Sequence, residues 1–152
     1  DWNSNTYYDY WNATNGNKTE MNDNSVVKTV YDPNPVGFKM PSPDAFTGFT
    51  IDGSDKSINS SSCNVESSTI NNGYKFYTQG WKKGPTDFWR ANGLLDSGSL
   101  VSVGEYGCYW SAGPSSNSTG RNLEFYETYL YPQKINRRDY GFSVRPVTDT
   151  EE

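Results

Sequence analysis

Apolar and polar positions alternate in short stretches along this chain, and turn formers separate the stretches. Residues 26–31 (VVKTVY) are β-branched and aromatic and predict a strand. Two prolines at 33 and 35 force turns after it, and residues 36–40 (VGFKM) predict a second strand. Ser42 followed by Pro43 reads as a helix start, which predicts a short helix over 43–49 with Ala45, Phe46 and Phe49 facing inward. Residues 52–73 are rich in Asp, Ser, Asn and Gly and read as a poorly ordered surface insertion. Alternation then predicts strands at 73–80, 100–103, 108–112, 121–126, 129–131 and 140–146. The third last is the most regular, with Leu123 and Phe125 on one side and Asn122, Glu124 and Tyr126 on the other. Residues 87–95 read as one helical turn or as a strand bent at Gly93. Pro132 is expected to end the strand before it. Short strands, one or two short helices and long loops together predict an α+β class, and no repeat or linker divides residues 1–152 into more than one domain.

Composition changes the picture mainly through its aromatics. Only 33% of residues are hydrophobic, yet 16% are aromatic, with five Trp, seven Phe and twelve Tyr available to fill a core. That content argues against intrinsic disorder. The formal net charge of −5 argues against nucleic acid as a partner. The short basic run at 134–138 reads as a solvated loop. The chain has no His, which removes Ser–His and Cys–His nucleophile pairs and His-based metal sites. Cys63 and Cys108 are far apart and are expected to be unpaired. Two cysteines alone make no zinc site, and no cofactor is expected. No apolar run is long enough to insert into a membrane. The abrupt start at Asp1 suggests a piece of a longer precursor, and richness in Asn, Ser, Thr, Gly and Tyr with few Lys or Glu suits an exported protein, located outside the cell or on its surface. Three glycosylation patterns begin at Asn12, Asn17 and Asn117, and carry little weight in an Asn-rich chain. Trp2, Tyr7, Tyr8, Tyr10 and Trp11 are expected to anchor the N-terminal segment.

Residues 107–147 mix two sets. One is a packing set, with Trp110, Leu123, Phe125, Phe142 and Val144 expected in the core. Between them lies a polar and aromatic set without a period of its own, and the candidate ligand-binding residues come from it and from Tyr106 just before it. They are Tyr106, Cys108, Ser115, Ser116, Asn117, Asn122, Tyr126, Tyr129, Tyr131, Asn136, Arg137, Asp139 and Tyr140. Tyr gives rigid amphipathic contact area, and Ser and Asn give adaptable hydrogen bonds, as in antibody paratopes. Arg137 and Arg138 are candidate energetic hot spots. Glu124 and Glu127 point to opposite sides of a strand and do not make a glycosidase pair.

Three fragments carry a resemblance. Residues 36–46 (VGFKMPSPDAF), residues 109–112 (YWSA) and residues 141–147 (GFSVRPV) resemble, in order and spacing, the formylglycine-generating-enzyme-like branch of the C-type lectin fold. Within it the chain is similar to major-paralogous-domain surface proteins and to the variable proteins of diversity-generating retroelements, some of which cap pili of gut anaerobes. The resemblance implies a C-type-lectin-like fold and a variable region over about 106–140. In such systems template adenines are randomised, and an Asn codon then yields Tyr, Asp, Ser, Thr, Ile, Cys, Gly or Arg. Most of the candidate set is drawn from those types, whereas Glu124, Glu127 and Lys134 do not follow from an Asn codon. The calcium-dependent sugar motifs of ordinary C-type lectins are absent, and neither cysteine matches the enzyme branch's reactive pair. The resemblance therefore implies a non-enzymatic adhesin domain at a bacterial surface or pilus tip. Its partner would be a protein or glycan on a host or neighbouring cell, with pilus subunits as a further contact. A calcium-independent carbohydrate-binding module and a self-assembling surface subunit are the alternatives.

Overall fold

The computed structural model describes residues 8–16 and 21–150. Ten strands are present: β1 Phe38–Lys39, β2 Lys56–Ser57, β3 Gly73–Tyr77, β4 Thr86–Arg90, β5 Leu94–Asp96, β6 Ser99–Val101, β7 Gly107–Pro114, β8 Thr119–Phe125, β9 Tyr129–Arg137 and β10 Val147–Thr148. The helical elements among the described residues are two 3-10 turns of three residues each, Ala13–Asn15 and Thr47–Phe49. The fold is thus nearly all-β and sandwich-like, and the α+β, C-type-lectin-like expectation is overturned by the missing helices.

The helix expected over 43–49 reduces to turns closed by Ala45 N–H to Ser42 O and Thr47 N–H to Asp44 O. The Ser42 hydroxyl bonds the Asp44 carboxylate instead of capping a backbone N–H. Thr50 then leaves the turn in extended conformation and bridges Cys63. Phe46 is buried and Phe49 packs beside it, but Ala45 is exposed. Residues 26–31 form no strand, because they find no partner to complete a ladder. Instead Asp32 accepts from the N–H groups of Asn34 and Met40, while Lys28 Nζ donates to the carbonyls of Asn34 and Phe38. Val26 is buried and Val30 is 93% exposed.

A four-stranded antiparallel sheet, in the order β2-β9-β8-β7, organises the molecule. Residues directly opposite in such a ladder share a face. One face carries Tyr109, Leu123, Phe125 and Leu130 against Phe46, Val65, Tyr74, Phe76 and Trp89, the last three supplied by the β3–β4 hairpin. Several rings of this core meet edge-on, for example Tyr74 on Phe125 at 5.5 Å and Trp89 on Tyr109 at 5.0 Å, and others stack, as Tyr109 does on Phe125. The 52–73 stretch is not a loose insertion. It supplies β2 and buries Cys63, Asn64 and Val65.

The other face carries a second, smaller core at one end. Trp110 and Ala112 pack there with Val26 and Met40, flanked by Tyr10, Trp11, Tyr140, Phe142 and Val144. Residues 140–146 are not a ladder strand as expected. They follow the free edge of β7 as an extended segment, where Trp110 N–H donates to Ser143 O (3.0 Å) and Ser143 N–H to Cys108 O (3.1 Å). Phe142 and Val144 thereby fall on the Trp110 face, as their alternation predicted. Tyr10 and Trp11 anchor the N-terminal segment, while Trp2 and Tyr7 lie outside the described residues. Asn12 is fully buried and bonds Asn15, so its glycosylation pattern is not accessible. The pattern at Asn17 lies outside the described residues, and that at Asn117 is exposed.

Pro132 does not end its strand. Glu124 faces Tyr131 and Asn122 faces Lys134, so Pro132 and Gln133 together oppose Leu123 in a bulge. A bulge leaves a residue out of the ladder, which is where a proline without an N–H is tolerated. The extra residue also keeps Tyr131, Lys134 and Asn136 on one face.

Candidate functional site

Among the described residues, the second face of the sheet is covered only at its Trp110 end. Period-two alternation puts Tyr106 and Cys108 there from β7 and its approach, Asn122, Glu124 and Tyr126 from β8 and its exit, and Tyr129, Tyr131, Lys134 and Asn136 from β9. Beyond the covered end, four tyrosines meet. The Tyr106 and Tyr126 rings stack at 4.8 Å, and those of Tyr129 and Tyr131 at 5.6 Å. Tyr126 lies 6.0 Å from Tyr131 and 6.4 Å from Tyr129, and the Tyr126 and Tyr131 hydroxyls share a hydrogen bond of 3.2 Å.

The β8–β9 turn holds two of these rings in place, closed by Tyr126 N–H to Tyr129 O. The buried Tyr74 hydroxyl braces it from below through the carbonyls of Tyr126 and Glu127. Tyr106 is held by Gly93 N–H donating to its carbonyl (2.7 Å). The Tyr131 phenol is raised above its ordinary pKa, first by the hydrogen bond to Tyr126 and then by burial, and burial raises Tyr106 as well. Both stay protonated at neutral pH and keep a hydroxyl to donate.

Glu124 sits at the centre of this face, opposite Tyr131 on one side and Cys108 on the other. Asn136 faces Gly120, where no side chain competes, and its amide reaches along the face to Glu124 Oε2 (2.8 Å) and Asn122 Oδ1 (3.0 Å). Lys134 Nζ lies 3.8 Å from the centre of the Tyr131 ring. Glu124, set apart because an Asn codon does not yield it, and Lys134, expected in a solvated loop, are therefore parts of the same group. Their alternation with Leu123 and with the bulge residues was the available signal, and only the register reveals that they converge.

The remaining candidates divide. Ser115, Ser116 and Asn117 form the β7–β8 turn at the far end of β8, roughly 20 Å away for a seven-residue strand. There Ser116 bonds Thr119 (2.6 Å), and the Tyr8 hydroxyl donates to Asn117. Arg137 pairs with Asp139 at the same end and lies 5.3 Å from the Tyr140 ring. Tyr140 stacks on Phe142, which stacks on Trp110, so it extends the second core. Apart from Tyr140 and the buried Cys108 and Asn122, the candidates thus form a tyrosine group and a separate turn group on one sheet.

Three candidates are corrected outright. Cys108 is 1% exposed, between Trp110 and Glu124 on a strand whose edge the 140–146 segment closes, and burial pushes its thiol well above the ordinary range. Asn122 is also 1% exposed and is spent on Leu123 O and Asn136. Arg138 is buried beside the Tyr8 ring and the Asn117 carbonyl, which makes it part of the scaffold rather than a surface hot spot. Both cysteines are unpaired and buried.

A cavity of about 540 Å³ lies on the β3–β4 side, lined in part by Phe49, Trp81, Trp89 and the Asp87–Arg145 ion pair, and none of the sequence candidates reaches it. Among the described residues no group of three or more Cys, Asp or Glu is placed to hold a metal. No family model, curated protein or solved structure matches the chain.

Proposed function

We propose that this chain is a non-enzymatic binding domain that displays the open end of its central sheet to a partner at a bacterial surface, in the manner of the variable adhesins of diversity-generating retroelements. The observation that carries the reading is the convergence of Tyr106, Tyr126, Tyr129 and Tyr131 from three strands onto one face that the described residues leave uncovered. Tyr129 is 40% exposed although its ring is large and rigid. Grouped exposed aromatics with polar neighbours mark interaction surfaces, whereas single exposed rings do not.

A sheet suits such display. Its backbone hydrogen bonds are made between strands, so side chains on an open face vary without touching the ladder. Two aromatic cores on either side of β7 and β8 hold that ladder whatever the open face carries. The buried Cys108 and Asn122 narrow the displayed set to residues that reach solvent.

The test is selection from a library in which codons 106, 126, 129 and 131 are randomised together. Binders to several unrelated proteins, each with a different residue set and an unchanged fold by circular dichroism, are the expected result. Recovery of wild-type residues alone, for any target, contradicts diversified display. The gene's surroundings offer a second check, because a reverse transcriptase beside a near-copy of the 3′ end differing only at adenines is expected.

A further inference from the structure

The tyrosine group has a charge as well as a shape. Glu124 lies at its centre, and Glu105 and Asp55 stand within electrostatic reach of Tyr106 and Tyr131. The neighbouring Lys56 of β2 is already neutralised by Asp52 at 2.7 Å. Lys134 is the one cation placed on a ring of the group among the described residues, and it uses the face of Tyr131.

That lysine shows what these rings accept. An ammonium 3.8 Å from a ring centre makes a cation–π contact, favoured because the ring face is electron-rich. The chain repeats the arrangement at Arg137 over Tyr140 and Arg145 over Trp89. One lysine does not balance three carboxylates, so the open face keeps an excess of negative charge over stacked aromatic rings.

We infer that the open tyrosine face is built to receive a cationic protein segment, with lysine or arginine side chains lying on the exposed rings and their charges meeting Glu124 and its neighbouring carboxylates. This rests on the display reading above and names the chemistry of the partner for this sequence variant. The chain's net charge of −5 extends the same preference to long range, where it speeds encounter with a basic partner and repels acidic glycans and nucleic acid. The attraction weakens with added salt, since the screening length falls to about 10 Å at 0.1 M.

An acetylated, amidated oligolysine peptide serves as the probe, with oligoglutamate of equal length as its counterpart, read by the ring resonances of Tyr106, Tyr126 and Tyr129. Oligolysine is expected to shift those resonances at low salt, and oligoglutamate to leave them in place. Glu124→Gln keeps the shape and a carbonyl for Asn136 and is expected to weaken oligolysine binding about threefold, the effect of one partly exposed charge. Glu66→Gln, on the β3–β4 side, is expected to change nothing. Equal losses from both variants would mean diffuse attraction to an acidic protein and overturn the proposal, as would unshifted tyrosine rings. If oligolysine fails while the randomised library still yields folded binders, only the cationic partner is lost. If the library itself fails to fold, the display reading falls.

Discussion

Phe125→Ala is expected to lower stability by about 3–5 kcal/mol, the usual range for emptying a fully buried ring site. Phe125 is fully buried, at the point where the sheet meets the β3–β4 hairpin, within 5.5–6.4 Å of the rings of Tyr74, Phe76 and Tyr109. Gly107 lies directly across from it, and a side chain there would stand 2.1 Å from the Phe125 ring, so no neighbour is free to fall into the space from that side. For a chain of this length the loss corresponds to a fall in Tm of roughly 6–20 °C. Urea denaturation at unchanged slope is the measurement. A loss under about 1 kcal/mol would mean that the core is not organised around this ring.

Gly93→Ala is the second large effect, and it reaches the tyrosine face. Gly93 has φ of +71°, and a Cβ there would lie 2.2 Å from the Val101 carbonyl oxygen, a backbone atom that has nowhere to go. A left-handed conformation costs a non-glycine residue about 1 kcal/mol or more, and the overpacking adds roughly 1–3 kcal/mol. Gly93 also donates to the Tyr106 carbonyl and bridges Gly107, so relief of the clash moves the segment that carries Tyr106. A destabilisation of about 2–4 kcal/mol is expected, together with a change in the Tyr106 and Tyr126 ring resonances. Ring resonances that stay put would show that Tyr106 is positioned by something other than this bond.

The legible parts of this chain are those where large apolar residues alternate. Leu123, Phe125, Trp110 and the strands that hold them follow from period two, and of the two readings of residues 87–95 the strand interrupted at Gly93 is the one that formed. What failed depends on partners distant in sequence. Residues 26–31 have the composition of a strand and no neighbour to pair with. Residues 43–49 have a helix start, but the chain must turn at once to bring Thr50 beside Cys63. Pro132 reads as a stop unless the bulge opposite Leu123 is known. The same limit governs the site. Alternation places Cys108 and Asn122 on the open face, and the sheet does put them there, but the 140–146 segment and the Asn136 amide that close over that region come from later in the chain. Conversely, nothing local marks Glu124 as the centre of a tyrosine group assembled from three strands.

The central claim is a division between a fixed scaffold and a freely variable face, and a melting series measures it directly. Tyr126→Ser, at a half-buried position of the tyrosine group, and Tyr129→Ser and Asn117→Ser, at exposed positions, are each expected to change stability by less than about 1 kcal/mol, the range of surface substitutions. Asn122→Ala, on the same face but buried, is expected to cost about 1–3 kcal/mol by leaving polar groups without partners. If the tyrosine substitutions cost as much as Asn122→Ala or Phe125→Ala, the rings are part of the scaffold and the face is not free to vary.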